Sequence, residues 1–138
     1  MYERIDHRSP GGAFWWTIAV ANAAAALGSG GFAVAAVVNP GLLLPEGNEV
    51  TPAAEFYAKM FAARSLPLSA AVTALILLRS TDRLSAFLIV AGVVQAADAL
   101  IGASFRNRGQ TLAPAAAAAL HFASARWLLR GRLRSWYG

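Results

Sequence analysis

Between Arg8 and Glu46 the chain runs for 37 residues without an aspartate, glutamate, lysine or arginine. No other feature constrains its fold as strongly. The stretch from Ala13 to Val38 is long enough to cross a hydrocarbon core of about 30 Å with tilt to spare. The rest of the chain shares this character. Of its 138 residues, 57% are apolar and 14% charged, against about 25% charged in an average soluble domain. So apolar a chain collapses or inserts rather than staying disordered, and 138 residues suit one domain. With no cysteine, disulfide scaffolds, thiolate zinc sites, CxxC redox chemistry and cysteine nucleophiles are excluded.

Three further apolar segments follow, from Phe56 to Leu78, Leu84 to Ala103 and Leu112 to Leu129. Each carries ionisable residues, but Leu84 to Ala97 is apolar on every face except Ser85 and Gln95, where a water-facing helix would show a polar stripe. The breaks at 79–83 and 104–111 fall at membrane-spanning intervals. The expectation is an all-α, four-helix transmembrane bundle forming one integral membrane domain, with spans at about 13–38, 56–78, 84–103 and 112–129. An alanine-rich soluble bundle is the rival, since alanine supplies 32 residues, and the Ala115–Ala119 run makes the fourth span the weakest. A cleaved signal peptide over the first segment is disfavoured by its length.

Basic residues set the expected orientation. With four spans, Arg4, Arg8, Arg79, Arg83, Arg130, Arg132 and Arg134 share one side, and Arg106 and Arg108 lie on the other. Seven against two places both termini in the cytoplasm of a multi-pass cell-membrane protein, in bacterial terms the inner membrane. The Arg-rich tail ending in Trp136-Tyr137 fits an anchor on anionic lipid headgroups rather than a nucleic-acid contact. Trp15 and Trp16 fall where an interfacial aromatic belt belongs. In the loop from Asn39 to Thr51, Leu42, Leu43 and Leu44 are apolar enough to lie in the interface or fold over the bundle as a lid.

A charge near mid-bilayer costs about 2.5–3.5 kcal/mol on insertion scales, so polar residues inside spans face the bundle interior and pair. Here they are Asn22, Glu55, Lys59, Arg64, Gln95, Asp98, His121 and Arg126. Counting from the outer helix ends, Arg64 lies about 12 Å deep, Asp98 about 7 Å, Gln95 about 12 Å and His121 about 13 Å. Residues from three helices thus converge on one layer of the outer half. Tyr57, Met60 and Phe61 continue the stripe of Arg64. Glu55 and Lys59 form an i, i+4 pair at the helix entry, Arg126 can snorkel to the inner headgroups, and Asn22 suits a hydrogen bond between helices. Arg64 and Asp98 have two readings, an ion pair joining the second and third helices or part of a ligand pocket. Pro67 predicts a kink that frees a carbonyl beside the cluster.

His121 and the distant His7, without cysteine, give no metal motif. No GxSxG, HExxH, P-loop or GxGxxG occurs. Gly28-Ser29-Gly30-Gly31 lies in an apolar span with no basic partner and reads as a close-packing or kink site.

The segments Ala62-Ala63-Arg64-Ser65-Leu66 and Gln95-Ala96-Ala97-Asp98, in a chain of four short helices, resemble the small uncharacterised bacterial membrane proteins grouped near the DoxX-like proteins, from Tyr57 onward. The resemblance implies a four-helix bundle with a membrane redox or small-molecule role. The chain is also similar to small multidrug-resistance transporters in size and span count, but it has Asn22 and alanines where those carry a glutamate.

The leading functional expectation is a pocket for a lipophilic small molecule in the outer half of the membrane. An acid/base isomerase or cyclase would use Asp98 and His121 for proton transfer, Arg64 to bind an oxygen, Gln95 to orient the substrate, and Tyr57, Met60 and Phe61 as walls, with no cofactor. The alternative is a proton-coupled transporter working as a homodimer, with Asp98 titrating. The third is a structural subunit of a membrane complex.

Overall fold

The computed structural model describes residues 12–45 and 47–136, the last six by backbone alone. Arg4, His7, Arg8 and Glu46, and the side chains of the Arg132–Tyr137 tail, lie outside it. Four helices make up the fold: α1 (Ala13–Val38), α2 (Pro52–Leu77), α3 (Thr81–Ser104) and α4 (Arg108–Trp136), with a short 3-10 turn at Pro40–Leu43. Among the described residues there is no strand. The fold is the expected all-α four-helix bundle. Three helices, α1, α2 and α3, are long and apolar enough to cross a membrane.

α2 and α4 each begin four residues before the apolar segment read from the sequence, because capping groups, not hydrophobicity, start them. Thr51 Oγ1 accepts the Ala54 N–H at 3.2 Å, and Pro52 occupies the first turn, where its missing N–H costs nothing. Asn107 Oδ1 caps α4 by accepting the Gln110 N–H at 3.2 Å. The ends of α2 and α3 are a matched pair. Arg79 (φ 50°) and Arg106 (φ 55°) are left-handed, and the next residues donate back into the helix, Ser80 to Leu75 O at 3.1 Å and Asn107 to Gly102 O at 2.9 Å. Glycine would fill this position with less strain. Arginine in both places puts a cation beside the helix's last carbonyls, where the dipole favours it.

Successive helices run antiparallel and pack as two close hairpins, α1 on α2 and α3 on α4, with looser contact between the hairpins. Small residues set the close approaches. A Cβ on Gly102 would lie 2.4 Å from Gln110 O, so α3 and α4 touch there backbone to backbone. One on Gly30 would lie 3.3 Å from the Ser69 Cβ of α2, while Gly28 and Gly31 face open space. Within the glycine run, close packing therefore falls to Gly30 alone. Pro67 sits inside an unbroken α2.

The two ends of the bundle differ. At the end carrying the chain termini, Trp15, Ala19, Val72, Leu75, Leu84, Leu88, Ala125 and Leu128 form one buried core. Trp15 is part of that core at 3% exposure, so it is not a belt residue. Trp16 faces outward, and the Arg79 guanidinium lies 5.3 Å from its ring centroid. Toward the other end, alanine, glycine and serine replace the large side chains, and the space between the hairpins stays open.

Candidate functional site

That opening is a cavity of about 620 Å³ bounded by all four helices and the 3-10 turn. It falls within the range of about 300–1,000 Å³ that holds small organic ligands. From Gln110 to Leu120 it follows α4 for about 15 Å. Its walls are mostly apolar, with Phe32, Leu42, Phe61, Pro114 and Leu120 the larger members and alanine and glycine making up most of the rest. The helical lining residues that are themselves exposed, Gly28 on α1 and Gly109, Ala113 and Ala116 on α4, flank the seam between those helices, and Leu42 of the 3-10 turn is exposed at one end. That seam, where α1 and α4 make few close contacts, is the mouth. Leu42 closes the end, its carbonyl accepting from Gln110 Nε2 at 3.3 Å.

Asn107 and Gln110 bring polar groups to the Leu42 end, and a second polar group lies along the wall. Asp98 and Gln95, one turn apart on α3, both line the cavity, as does Ser29 of α1. Gln95 Nε2 makes a long hydrogen bond to Ser29 Oγ at 3.5 Å. Arg64 lies outside the lining but donates from Nη2 to Asp98 Oδ1 at 2.6 Å, joining α2 to α3. Its guanidinium also lies 5.7 Å from the Phe61 ring centroid. The pair is asymmetric: the Arg64 side chain is 44% exposed and that of Asp98 14%. Phe61 meets Phe32 edge to face at 6.0 Å, whereas Tyr57 and Met60 point away, at 66% and 56% exposure.

His121 belongs to a different cluster. Its Nδ1 is 2.8 Å from Asn22 Oδ1, and Asn22 Nδ2 donates to Ser124 Oγ and to Ile18 O, both at 2.8 Å. Asn22 is 0% exposed, and His121 and Ser124 are each 3%. The cluster binds α1 to α4 just beyond Ala25 and Leu120, the deepest cavity residues on those helices: Asn22 is three residues from Ala25, and His121 directly follows Leu120. The residues expected in one layer therefore occupy two: Arg64, Asp98 and Gln95 beside the cavity, and His121 beneath it. No hydrogen bond joins Asp98 to His121.

Asn22 makes the interhelical bond its type and position suggested. Its partner Ser124 and the closing residue Gln110 carried a readable signal. Ser124 follows His121 by three residues and so shares its helix face, and Gln110 lies in the polar break at 104–111 that precedes α4's alanines. Among the described residues no group of three His, Cys, Asp or Glu side chains is placed to hold a metal. No family model, curated protein or solved structure matches the chain.

Proposed function

We propose that the protein is a multi-pass membrane protein that binds a lipophilic small molecule in the cavity between its two helical hairpins. The cavity carries the reading: it is about 620 Å³, mostly apolar, and has Asp98, Gln95 and Ser29 gathered on one wall. This is the composition of a site that takes an apolar body and orients it by a few polar contacts. A mouth framed by glycine and alanine, facing sideways between α1 and α4, suits entry from lipid rather than from water. In the membrane, α4 is a fourth span. It lies along α3 through glycine contacts at Gly92 and Gly102, its histidine is hydrogen-bonded internally, and Arg126 is exposed near the termini's end, where it reaches headgroups. The arginine asymmetry puts that end in the cytoplasm and the cavity in the outer half of the cell membrane.

The reading stops at binding. Asp98 is engaged by Arg64 and His121 by Asn22, and no hydrogen bond joins Asp98 to His121, so binding is proposed without a catalytic step. The test is mass spectrometry of organic extracts from purified wild-type protein and from Ala117→Trp, which fills the cavity. A compound retained stoichiometrically by the wild type and lost from a helical, monodisperse variant is the expected result. Extracts that are the same from both proteins defeat the proposal.

A further inference from the structure

The cavity wall carries one charge. Among the described residues that line it, Asp98 is the only ionisable one, and there is no lysine, arginine or histidine. Its counter-ion stands behind it. Arg64 donates to Oδ1 at 2.6 Å from outside the lining, with a side chain 44% exposed against 14% for Asp98. Asp98 Oδ2 has no hydrogen-bond partner among the described residues. Nor does Gln95 Oε1, because the Gln95 amide bonds to Ser29 Oγ through its nitrogen. Neither oxygen is sealed in the protein. The one fully enclosed side-chain polar atom without a partner among the described residues is Thr73 Oγ1, so both oxygens keep accessible surface, and both belong to residues that line the cavity.

Gln95 and Asp98 are three residues apart and so share a face of α3. Together they bring two unoccupied acceptors, one of them charged, to a mostly apolar channel. A charged donor matches them best, because charge-assisted hydrogen bonds are about twice as strong as neutral ones. Arg64 does not meet this demand. The Asp98 carboxylate stands between it and the cavity, so a second cation inside lies closer to Asp98 than to Arg64. A ligand carboxylate meets the reverse arrangement, with a like charge on the wall and no basic side chain to receive it.

We propose that the bound molecule is a lipophilic primary amine, whose ammonium hydrogens go to Asp98 Oδ2 and Gln95 Oε1 while its apolar body fills the channel along α4. The ligand class is then narrower than a lipophile in general. A quaternary ammonium with the same chain has the charge but no hydrogen to donate, and an alcohol has one hydrogen but no charge. A carboxylate has neither the positive charge nor the hydrogen, and a site built around acceptors rejects it. The proposal rests on the binding function above, and the experiment separates the two.

Binding of dodecylamine, dodecyltrimethylammonium, 1-dodecanol and dodecanoate is measured at neutral pH on the purified full chain in nanodiscs of zwitterionic lipid, against empty nanodiscs and Ala117→Trp. The amine is expected to bind about tenfold more tightly than the quaternary ammonium or the alcohol, with dodecanoate weakest. It should also shift the side-chain carboxyl ¹³C resonance of Asp98, one of only three aspartates in the chain; the other two, Asp6 and Asp82, are assigned by substitution. In Gln95→Leu, which leaves the ion pair in place, the amine's advantage over the quaternary ammonium should shrink several-fold. The Asp98 shift is read on wild-type protein, so the outcome stands even if Gln95→Leu does not fold. If the amine binds no better than the quaternary ammonium or dodecanoate, or is preferred without moving the Asp98 signal, the ammonium contact is overturned, and the cavity reading survives where Ala117→Trp abolishes the binding. If no probe binds above empty nanodiscs, the amine proposal falls, and the cavity reading is decided by its own extracts.

Discussion

Replacing Asn22 by leucine keeps its branched shape and removes its own polar atoms from the seam between α1 and α4. Ser124 loses its partner at 2.8 Å, but a helical serine can turn its hydroxyl to the carbonyl four residues back. Its loss is therefore near the average of about 0.6 kcal/mol for a hydrogen bond between membrane helices. His121 has no such escape. Its Nδ1–H, 2.8 Å from Asn22 Oδ1 and buried with the residue at 3% exposure, is stranded at the cost of an unmade buried hydrogen bond, about 1–3 kcal/mol. The expected destabilisation is about 2–3 kcal/mol, measured by reversible unfolding in mixed micelles. Asn22→Leu combined with His121→Phe removes the stranded donor as well, so the double variant should be less destabilised than the sum of the singles by about 1 kcal/mol or more. Additivity of the two within about 0.3–0.5 kcal/mol would refute the reasoning, since it would mean that the two side chains do not depend on each other.

Other outcomes follow from the same geometry. Gly102→Ala drives a methyl to within 2.4 Å of Gln110 O and should cost about 3 kcal/mol or prevent folding, whereas Gly31→Ala, with nothing within 4 Å, should be neutral or stabilise by up to about 1 kcal/mol; the same unfolding assay compares them. Arg64 is the thirteenth of α2's 26 residues, so in a membrane it depends on Asp98. Arg64→Leu and Asp98→Leu should each cost about 2.5–3.5 kcal/mol, and the pair together under about 1 kcal/mol; a loss in the double variant equal to the sum of the two singles would argue against coupling. Gln110→Ala releases the Leu42 carbonyl and should speed thiol labelling of a Ser29→Cys reporter several-fold, a clean readout in a chain with no native cysteine.

Individual residues show how much of this was legible in the sequence. The four helices were, because 37 residues without charge and three later apolar segments leave no other use for so much hydrophobic surface. Asn22 was legible as a residue that must hydrogen-bond across helices, and Arg64 and Asp98 as charges in need of a partner, since an isolated polar group in an apolar segment is too costly to leave alone. Their partners were legible only in part. Depth counted along a helix gives height but no angle around the bundle. It placed His121 level with Gln95 and Asp98, while the packing sends it to Asn22. Tyr57 and Met60 share a stripe with Arg64, yet a small rotation of α2 leaves both exposed and carries Phe61 inward to Phe32.

The sequence alone determined which polar groups needed a partner, because insertion cost is a property of single residues. The tertiary structure decided which groups meet. Helix azimuth and hairpin spacing come from contacts such as Gly102 on Gln110 and Gly30 on Ser69, which exist only between chain segments far apart in sequence. The same contacts explain the uneven interior. Where Trp15, Leu84 and Leu88 fill the space between the hairpins, the bundle is solid. Where alanine and glycine replace them, two hairpins each closely packed within themselves leave a cavity between them.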